Sequence, residues 1–283
     1  MADGLAKLRP LTTTDIPAAM ALVDQVGWNQ TPADWARFLA ASPTGCFAAI
    51  IDGVVVGTSA TIAYEGRLAW VGMVIVDAAH RGKGLGRQLL ERACDAMDAA
   101  NIPCVKLDAT PAGEPLYAKY GFVRERSLER WELSREPSKA PRLQASTAPL
   151  SGEAFALDRS LFGADRRFLL DSLKTDWPEA AIEVRAGREV LGYSLGRRGY
   201  RADHMGPWIA RDEHTAAQLL DAFLARSKRP RVFVDCFVDH QFAVALLEAR
   251  GFQPQRPLVR MSRGPSPPAD NRDVLAPLGV EFG

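Results

Sequence analysis

A repeat constrains this chain more than any other feature. Gln88-Leu89-Leu90 recurs as Gln218-Leu219-Leu220, Arg81 as Arg211, Leu116 as Leu246 and Gly121-Phe122 as Gly251-Phe252, each pair 130 residues apart. Upstream, Val56-Gly57-Thr58-Ser59 resembles Leu191-Gly192-Tyr193-Ser194 at an offset of 135, so a small gap separates the matching blocks. A 283-residue chain with such a period reads as one module built twice. With 47% apolar residues there is enough material for a full core in each copy.

The first copy shows the pattern of that module. A short strand is expected over Leu5 to Arg9, then a helix capped by Thr14 and running from Asp15 to Val26. A second helix opens at Thr31-Pro32, a cap followed by proline in the first turn. Strands over Cys46 to Ile51 and Val54 to Ala63 are joined by Asp52-Gly53, both of which tolerate positive φ, so a hairpin is predicted. Strand Val71–Val76, a helix from Leu85 to Ala100, strand Val105–Ala109, a short helix from Glu114 to Tyr120 and a final strand or two from Phe122 to Leu133 follow. This is an α/β (α+β) module with a mixed, mostly antiparallel sheet. The expected divisions are residues 1–134, a proline-bearing linker at 135–149, a second module at 150–264 and a tail at 265–283. The Pro/Ser-rich Gly264 to Asn271 reads as a mobile stretch, while Leu275, Leu278, Val280 and Phe282 are available to dock.

Between the fourth strand and its helix lies Arg81-Gly82-Lys83-Gly84-Leu85-Gly86-Arg87. A strand entering a glycine-rich turn at a helix N-terminus gathers backbone N–H groups and about half a positive charge at one point, which suits a phosphate. A P-loop would need Gly-Lys-Ser/Thr after a four-residue gap, which is absent. A dinucleotide fingerprint would need its third glycine where Arg87 stands, and it follows a first strand rather than a fourth.

Arg81, Gly84 and Gly86 match Arg/Gln-x-x-Gly-x-Gly/Ala, and Tyr117-Ala118-Lys119-Tyr120-Gly121-Phe122 places a tyrosine before a terminal Gly-Phe. In both respects the stretch from Leu5 to Leu133 resembles the GNAT superfamily of N-acetyltransferases. The tandem arrangement, with Asp108 to Tyr117, resembles bacterial GNAT proteins that carry a degenerate second copy. The resemblance implies acetyl-CoA or a related acyl-CoA as co-substrate, with no metal. It places the pyrophosphate on Gly82 to Gly86, with charge from Arg81, Lys83 and Arg87. It lays the pantetheine along Met73 to Val76, where an N–H near Val74 or Ile75 meets the developing oxyanion. Thr110 and Gly113 join this donor set, and Tyr117 protonates the leaving thiolate. The acceptor implied is the amine of a small metabolite or an amino-acid-like molecule. The base is not evident: Trp70 or its neighbours hold the place of the family's glutamate, and Glu65, Asp77, His80 or a water chain remain open. A non-catalytic acyl-CoA sensor is the alternative.

In the second copy Asp212, Glu213, His214 and Ala216 replace Gly82, Lys83, Gly84 and Gly86, and Leu247 replaces Tyr117. Two carboxylates suit a helix start but repel a pyrophosphate, so one donor site per chain is expected. Trp28 and Trp35 lie where the family builds its acceptor wall, although helix packing accounts for Trp35 equally well. Cys46, Cys94, Cys104 and Cys236 fit no metal or redox spacing and are expected as buried thiols. The four histidines lack ligand spacing, and Arg197-Arg198 with Arg201 reads as a solvated loop. A net charge of +1 gives no bulk case for nucleic acid. No apolar run approaches the ~20 residues of a membrane span, and the first residues lack a signal-peptide core, so a cytoplasmic location is expected.

Overall fold

The computed structural model describes residues 6–136, 148–269 and 271–283. The expected strand start at Leu5 and most of the expected linker lie outside the described residues. The first copy contains β1 (Lys7–Pro10), α1 (Ile16–Gln25), α2 (Pro32–Ala41), β2 (Phe47–Ile51), β3 (Val54–Tyr64), β4 (Leu68–Val76), α3 (Leu85–Ala99), β5 (Val105–Ala109), α4 (Glu114–Ala118) and β6 (Val123–Ser134). The second contains β7 (Ala148–Pro149), α5 (Gly152–Phe162), α6 (Arg167–Asp176), β8 (Ile182–Ala186), β9 (Glu189–Arg198), β10 (Asp203–Ala210), α7 (Glu213–Arg226), β11 (Arg231–Phe237), α8 (Gln241–Ala249) and β12 (Gln253–Arg263). A last strand, β13 (Val274–Ala276), follows.

Local chemistry explains most boundaries. Thr31 and Asp34 form a reciprocal capping box at α2, with Pro32 in the first turn. At α1 the expected cap moves. Thr14 lies inside a short 3-10 turn, and Thr12 opens it by donating its amide to the Asp15 carboxylate at 2.8 Å. In the β2–β3 hairpin Asp52 and Gly53 have φ of 48° and 81°, the left-handed pair that such a turn requires. Helix α3 buries Leu85, Leu89, Leu90, Ala93, Cys94 and Met97, the stripe expected of a helix lying on a sheet. All four cysteines are buried free thiols.

Among the described residues the strands form one 13-stranded sheet, in the order β1-β2-β3-β4-β5-β12-β6-β11-β10-β9-β8-β7, with β13 on β10. The order is a palindrome of the repeat. Strand β12 of the second copy lies against β5 of the first, and β6 of the first lies against β11 of the second. Each copy thus lends its last strand to the other. The two exchanged strands pair antiparallel at the centre, where Leu128 faces Leu258, its equivalent 130 residues on.

Buried ion pairs repeat the exchange. Arg130 of β6 grips Asp235 of β11 with two bonds of 2.7 Å, and Arg260 of β12 grips Asp108 of β5 at 2.9 and 2.8 Å. His204 is a core histidine: its Nε2 lies 3.1 Å from Asp235, its Nδ1 is buried without a partner among the described residues, and burial lowers its pKa. Desolvation makes such pairs modest net stabilisers, but removing one member strands the other charge, at about 3–5 kcal/mol.

Candidate active site

The site begins where β4 leaves β5. The two strands pair in parallel only at Ala69 with Val105 and Trp70 with Lys106. Beyond that point β5 continues against β12, and one edge of β4 is left facing a gap. A bulge falls in the same segment. Thr58 pairs with Ile75 and Ala60 with Gly72, so Met73 and Val74 oppose one residue of β3. Met73 has φ of 56°, and its carbonyl accepts the Thr58 hydroxyl at 2.8 Å. A non-glycine residue in the left-handed region carries a cost of about 1–2 kcal/mol. Such strain is expected where backbone groups are re-aimed.

Downstream of β4 comes the glycine turn. Gly82 and Gly84 have φ of 77° and 80°, with open space where a Cβ would sit. Gly84 caps α3, and the first bond of the helix runs from the Gln88 N–H to the Gly84 carbonyl at 3.1 Å. The preceding amides of the first turn have no intrahelical acceptor, as at any helix start. Arg81 Nε donates to the Val76 carbonyl at 3.0 Å, which ties the turn to the end of β4. The other side is held by α1, since Gln25 accepts from the Ala78 amide and donates to Asp77. Gly86 sits over Val76, Leu85 is buried beneath, and Lys83 and Arg87 stand exposed beside the turn.

A cavity occupies the gap between the splayed strands, with about 550 Å³ of empty space when the open solvent at its mouth is included. Val71, Gly72, Met73 and Val74 form one wall, and Leu107, Asp108 and Thr110 the other. Ile75 points into the core and Val76 toward α3. Tyr117 lines the cavity from α4, held edge-on to Phe122 and against Gly113. Its hydroxyl makes no hydrogen bond among the described residues, and burial pushes the phenol up to about 12. It is therefore protonated throughout the physiological range. Thr110 accepts the Gly113 amide and opens the turn into α4; Gly113 itself is not in the cavity wall.

The remaining wall, on the acceptor side, contains Trp28, one of the two tryptophans expected there, and Gln30, Arg256, Leu258, Val280 and Glu281, which sequence reasoning missed. Trp35, by contrast, is fully buried in the core. Val280 and Glu281 belong to a C-terminal segment that threads across the sheet. The Trp70 indole donates to the Val280 carbonyl at 3.0 Å, the Tyr64 hydroxyl to the Phe282 carbonyl at 2.7 Å, and Phe282 stacks on Phe38. The expected apolar docking residues Leu275, Leu278 and Phe282 are all buried. Glu281 rests on Gly72, where an added Cβ would come within 3.0 Å of the Glu281 carbonyl oxygen.

Glu281 accepts from Gln30 at 2.9 Å and pairs with Arg197, which also lies 3.0 Å from Asp34. Arg197 is therefore buried in β9 and not in a solvated loop; paired Asp34 and Glu281 make its burial tolerable. The bases considered from sequence lie elsewhere. Glu65 pairs with Arg159, and Asp77 with His80, none of them in the cavity wall. No local pattern marks Glu281, because its position depends on a chain crossing from one copy to the other.

The equivalent gap in the second copy is filled. Strands β10 and β11 pair at three positions, from Asp203 with Val232 to Met205 with Val234. Beyond these, β13 pairs with β10 through Trp208 with Ala276 and Ile209 with Val274. Asp212 caps α7 by accepting the Thr215 amide at 2.7 Å, and Leu247 is buried. Among the described residues no group of three or more His, Cys, Asp or Glu is placed to hold a metal ion. None of their helices is long and apolar enough to cross a membrane.

Known proteins resemble both halves. Two family models, each described as an acetyltransferase (GNAT) domain, match residues 42–124 and 154–276. An uncharacterized N-acetyltransferase, YitH of Bacillus subtilis, is 31% identical over 58% of this chain, and the match spans 59% of that protein's length. The holothin acyltransferase of a Pseudoalteromonas species is 24% identical over 90% of this chain and 87% of its own. The crystal structure of a putative acetyltransferase from Pyrococcus horikoshii superposes with a TM-score of 0.83 at 22% identity, covering 98% of this chain and 96% of that one. At that identity the likeness concerns the fold.

Proposed function

The chain belongs to the GNAT acetyltransferase family, and from that premise we propose that it is an acyl-CoA-dependent N-acyltransferase using acetyl-CoA, with the amine of a small metabolite or amino-acid-like molecule as acceptor. The observation that carries this reading is the single cavity wall joining the splayed β4 edge, Tyr117 and Glu281. In this reading residues 1–134 supply the donor site, and Arg256 and Leu258 of the second module with Val280 and Glu281 of the tail complete the acceptor side.

The donor fits the residues present. The glycine turn leaves room for a pyrophosphate close to the backbone, with Arg81, Lys83 and Arg87 beside it. The free edge of β4 offers backbone partners to an extended amide chain in the manner of an added strand, along Val74 to Val76. Acyl-CoA supplies an activated carbonyl, which the acceptor amine attacks directly. The bulge at Met73 aims a backbone N–H of Val74 or Ile75 at the oxygen where charge develops.

Glu281 receives the amine's proton. Both carboxylates of the wall are engaged, Asp108 by two bonds from Arg260 and Glu281 by Gln30 and Arg197, so the assignment rests on position. The main chain and Cβ of Glu281 lie over Gly72, next to the bulge. Tyr117 donates its proton, or a strong hydrogen bond, to the departing sulfur; general acid–base assistance of this kind contributes about 10²–10⁴ in rate. A pure acyl-CoA sensor requires neither group.

The test is thiol release from acetyl-CoA across a panel of amines. Tyr117→Phe should lower kcat by about 10²–10⁴ and leave acyl-CoA affinity unchanged. A large loss of affinity with unchanged turnover contradicts the role of Tyr117, and absence of thiol release with any amine contradicts the enzyme reading.

A further inference from the structure

Four arginines lie on the two exchanged strands at equivalent places: Arg126 and Arg130 on β6, Arg256 and Arg260 on β12. Three are spoken for. Arg130 holds Asp235, Arg260 holds Asp108, and Arg126 holds Asp239 with bonds of 3.0 and 2.7 Å. The side chain of Arg256, the counterpart of Arg126, makes no hydrogen bond or ion pair among the described residues. The repeat explains why. By their places opposite the arginines Asp108 corresponds to Asp235, an offset of 127, and that offset carries Asp239 onto Ala112. The carboxylate that holds Arg126 is absent from the half that keeps the donor site.

Arg256 instead lines the cavity, with its guanidinium carbon 5.9 Å from the centre of the Trp28 ring. Its Nε is buried without a partner. Burial and the adjacent Arg130 charge pull its pKa down to about 10, the sign of a cation short of compensation. Asp235 and Glu281 compensate it only in part, since Asp235 is bound to Arg130 and Glu281 to Arg197 and Gln30, while Asp108 is bound to Arg260. A guanidinium in this setting favours a planar two-oxygen anion.

The geometry points to Arg256 as the anchor for an anionic group on the acceptor, so that the substrate is a small amine that also carries a carboxylate or a phosphate. The amine lies toward Glu281 and the anion toward Arg256, with Trp28 and Leu258 closing the cavity between the polar ends. The inference rests on the acyl-transfer reading above and narrows its acceptor.

Matched pairs test it on the full-length protein: L-α-amino acids against their carboxamides, and phosphoethanolamine against ethanolamine. Each compound is assayed by thiol release from acetyl-CoA and by calorimetric binding to the CoA-loaded protein. The anionic member of at least one pair should be favoured about tenfold or more in kcat/KM, the worth of a charge-assisted hydrogen bond. Which pair responds separates carboxylate from phosphate. Arg256→Gln should collapse that preference toward one with the KM for acetyl-CoA unchanged, and Arg256→Lys should restore part of it. Equal use of the neutral members, or a preference that survives in Arg256→Gln, overturns the assignment. Should no amine release thiol, the acyl-transfer reading fails and calorimetry still decides on Arg256. Anion binding lost in Arg256→Gln supports the anchor; binding that is absent, or equal in both proteins, refutes it.

Discussion

Glu281→Gln separates the two duties of one side chain. As a structural group Glu281 is 2% exposed and shares Arg197 with Asp34. Glutamine retains an oxygen for Arg197 or Gln30, and Asp34 still balances the guanidinium. The stability cost is then about 1–3 kcal/mol, that of a weakened charged hydrogen bond, below the 3–5 kcal/mol of a stranded buried charge. As a base it should cost far more. Loss of proton acceptance lowers kcat/KM for the acceptor by about 10²–10⁴ near neutral pH, equal to about 2.7–5.5 kcal/mol of transition-state stabilisation. The deficit has a required pH dependence. Without a base only acceptor that is already deprotonated reacts, so the variant's rate should climb about tenfold per pH unit up to the amine's own pKa. The wild-type advantage shrinks over the same range. Initial rates of thiol release at saturating acetyl-CoA between about pH 7 and pH 10 would show this. A loss below about threefold, or a deficit that stays constant as pH rises, refutes Glu281 as the base.

Three further outcomes are expected. Gly84→Ala forces a left-handed backbone on alanine in otherwise open space, which should cost about 1–2 kcal/mol in urea unfolding and weaken acetyl-CoA binding by calorimetry; unchanged affinity would argue against the turn as the phosphate cradle. Asp235→Asn strands Arg130 and should destabilise the fold by about 3–5 kcal/mol. Because Arg130 and His204 hold the Asp235 pKa well below the usual carboxylate range despite its burial, its contribution is complete above the unfolded value of about 3.9 and fades as pH falls below it. The gap between wild type and variant should close in acid, and a gap independent of pH would be inconsistent with the pair. Titration should find one CoA equivalent per chain, since β13 lies on the second β10; two equivalents would contradict that assignment of the second half.

Local signals made much of the fold legible. Gly82 and Gly84 announced their turn because positive φ is a property of the residue itself, and Thr31-Pro32 and Asp52-Gly53 did the same for a helix and a hairpin. The repeat revealed the module but not its strand exchange. An edge of β5 is satisfied equally by β6 or by β12, and the two strands carry equivalent residues. Tyr117 was found through its place in a local pattern. Glu281 and Arg256 were not, since each enters the cavity from the far end of the chain. Arg197 was misread for the same reason: its partners Asp34 and Glu281 are distant in sequence.

The palindrome of strands bears on descent. Two identical chains that each lend a last strand across a twofold axis produce this order. Fused end to end, such a pair no longer has to stay symmetric. One copy can keep its glycines while the other collects Asp212 and Glu213, and a surplus arginine opposite Ala112 becomes free for new work. Deletion of the altered copy remains closed to selection, because β12 completes the sheet of its sister. On the reading that the second copy has no donor site of its own, it still serves as a strand donor, and a lesion in its last strand should surface as a defect of the other half's chemistry.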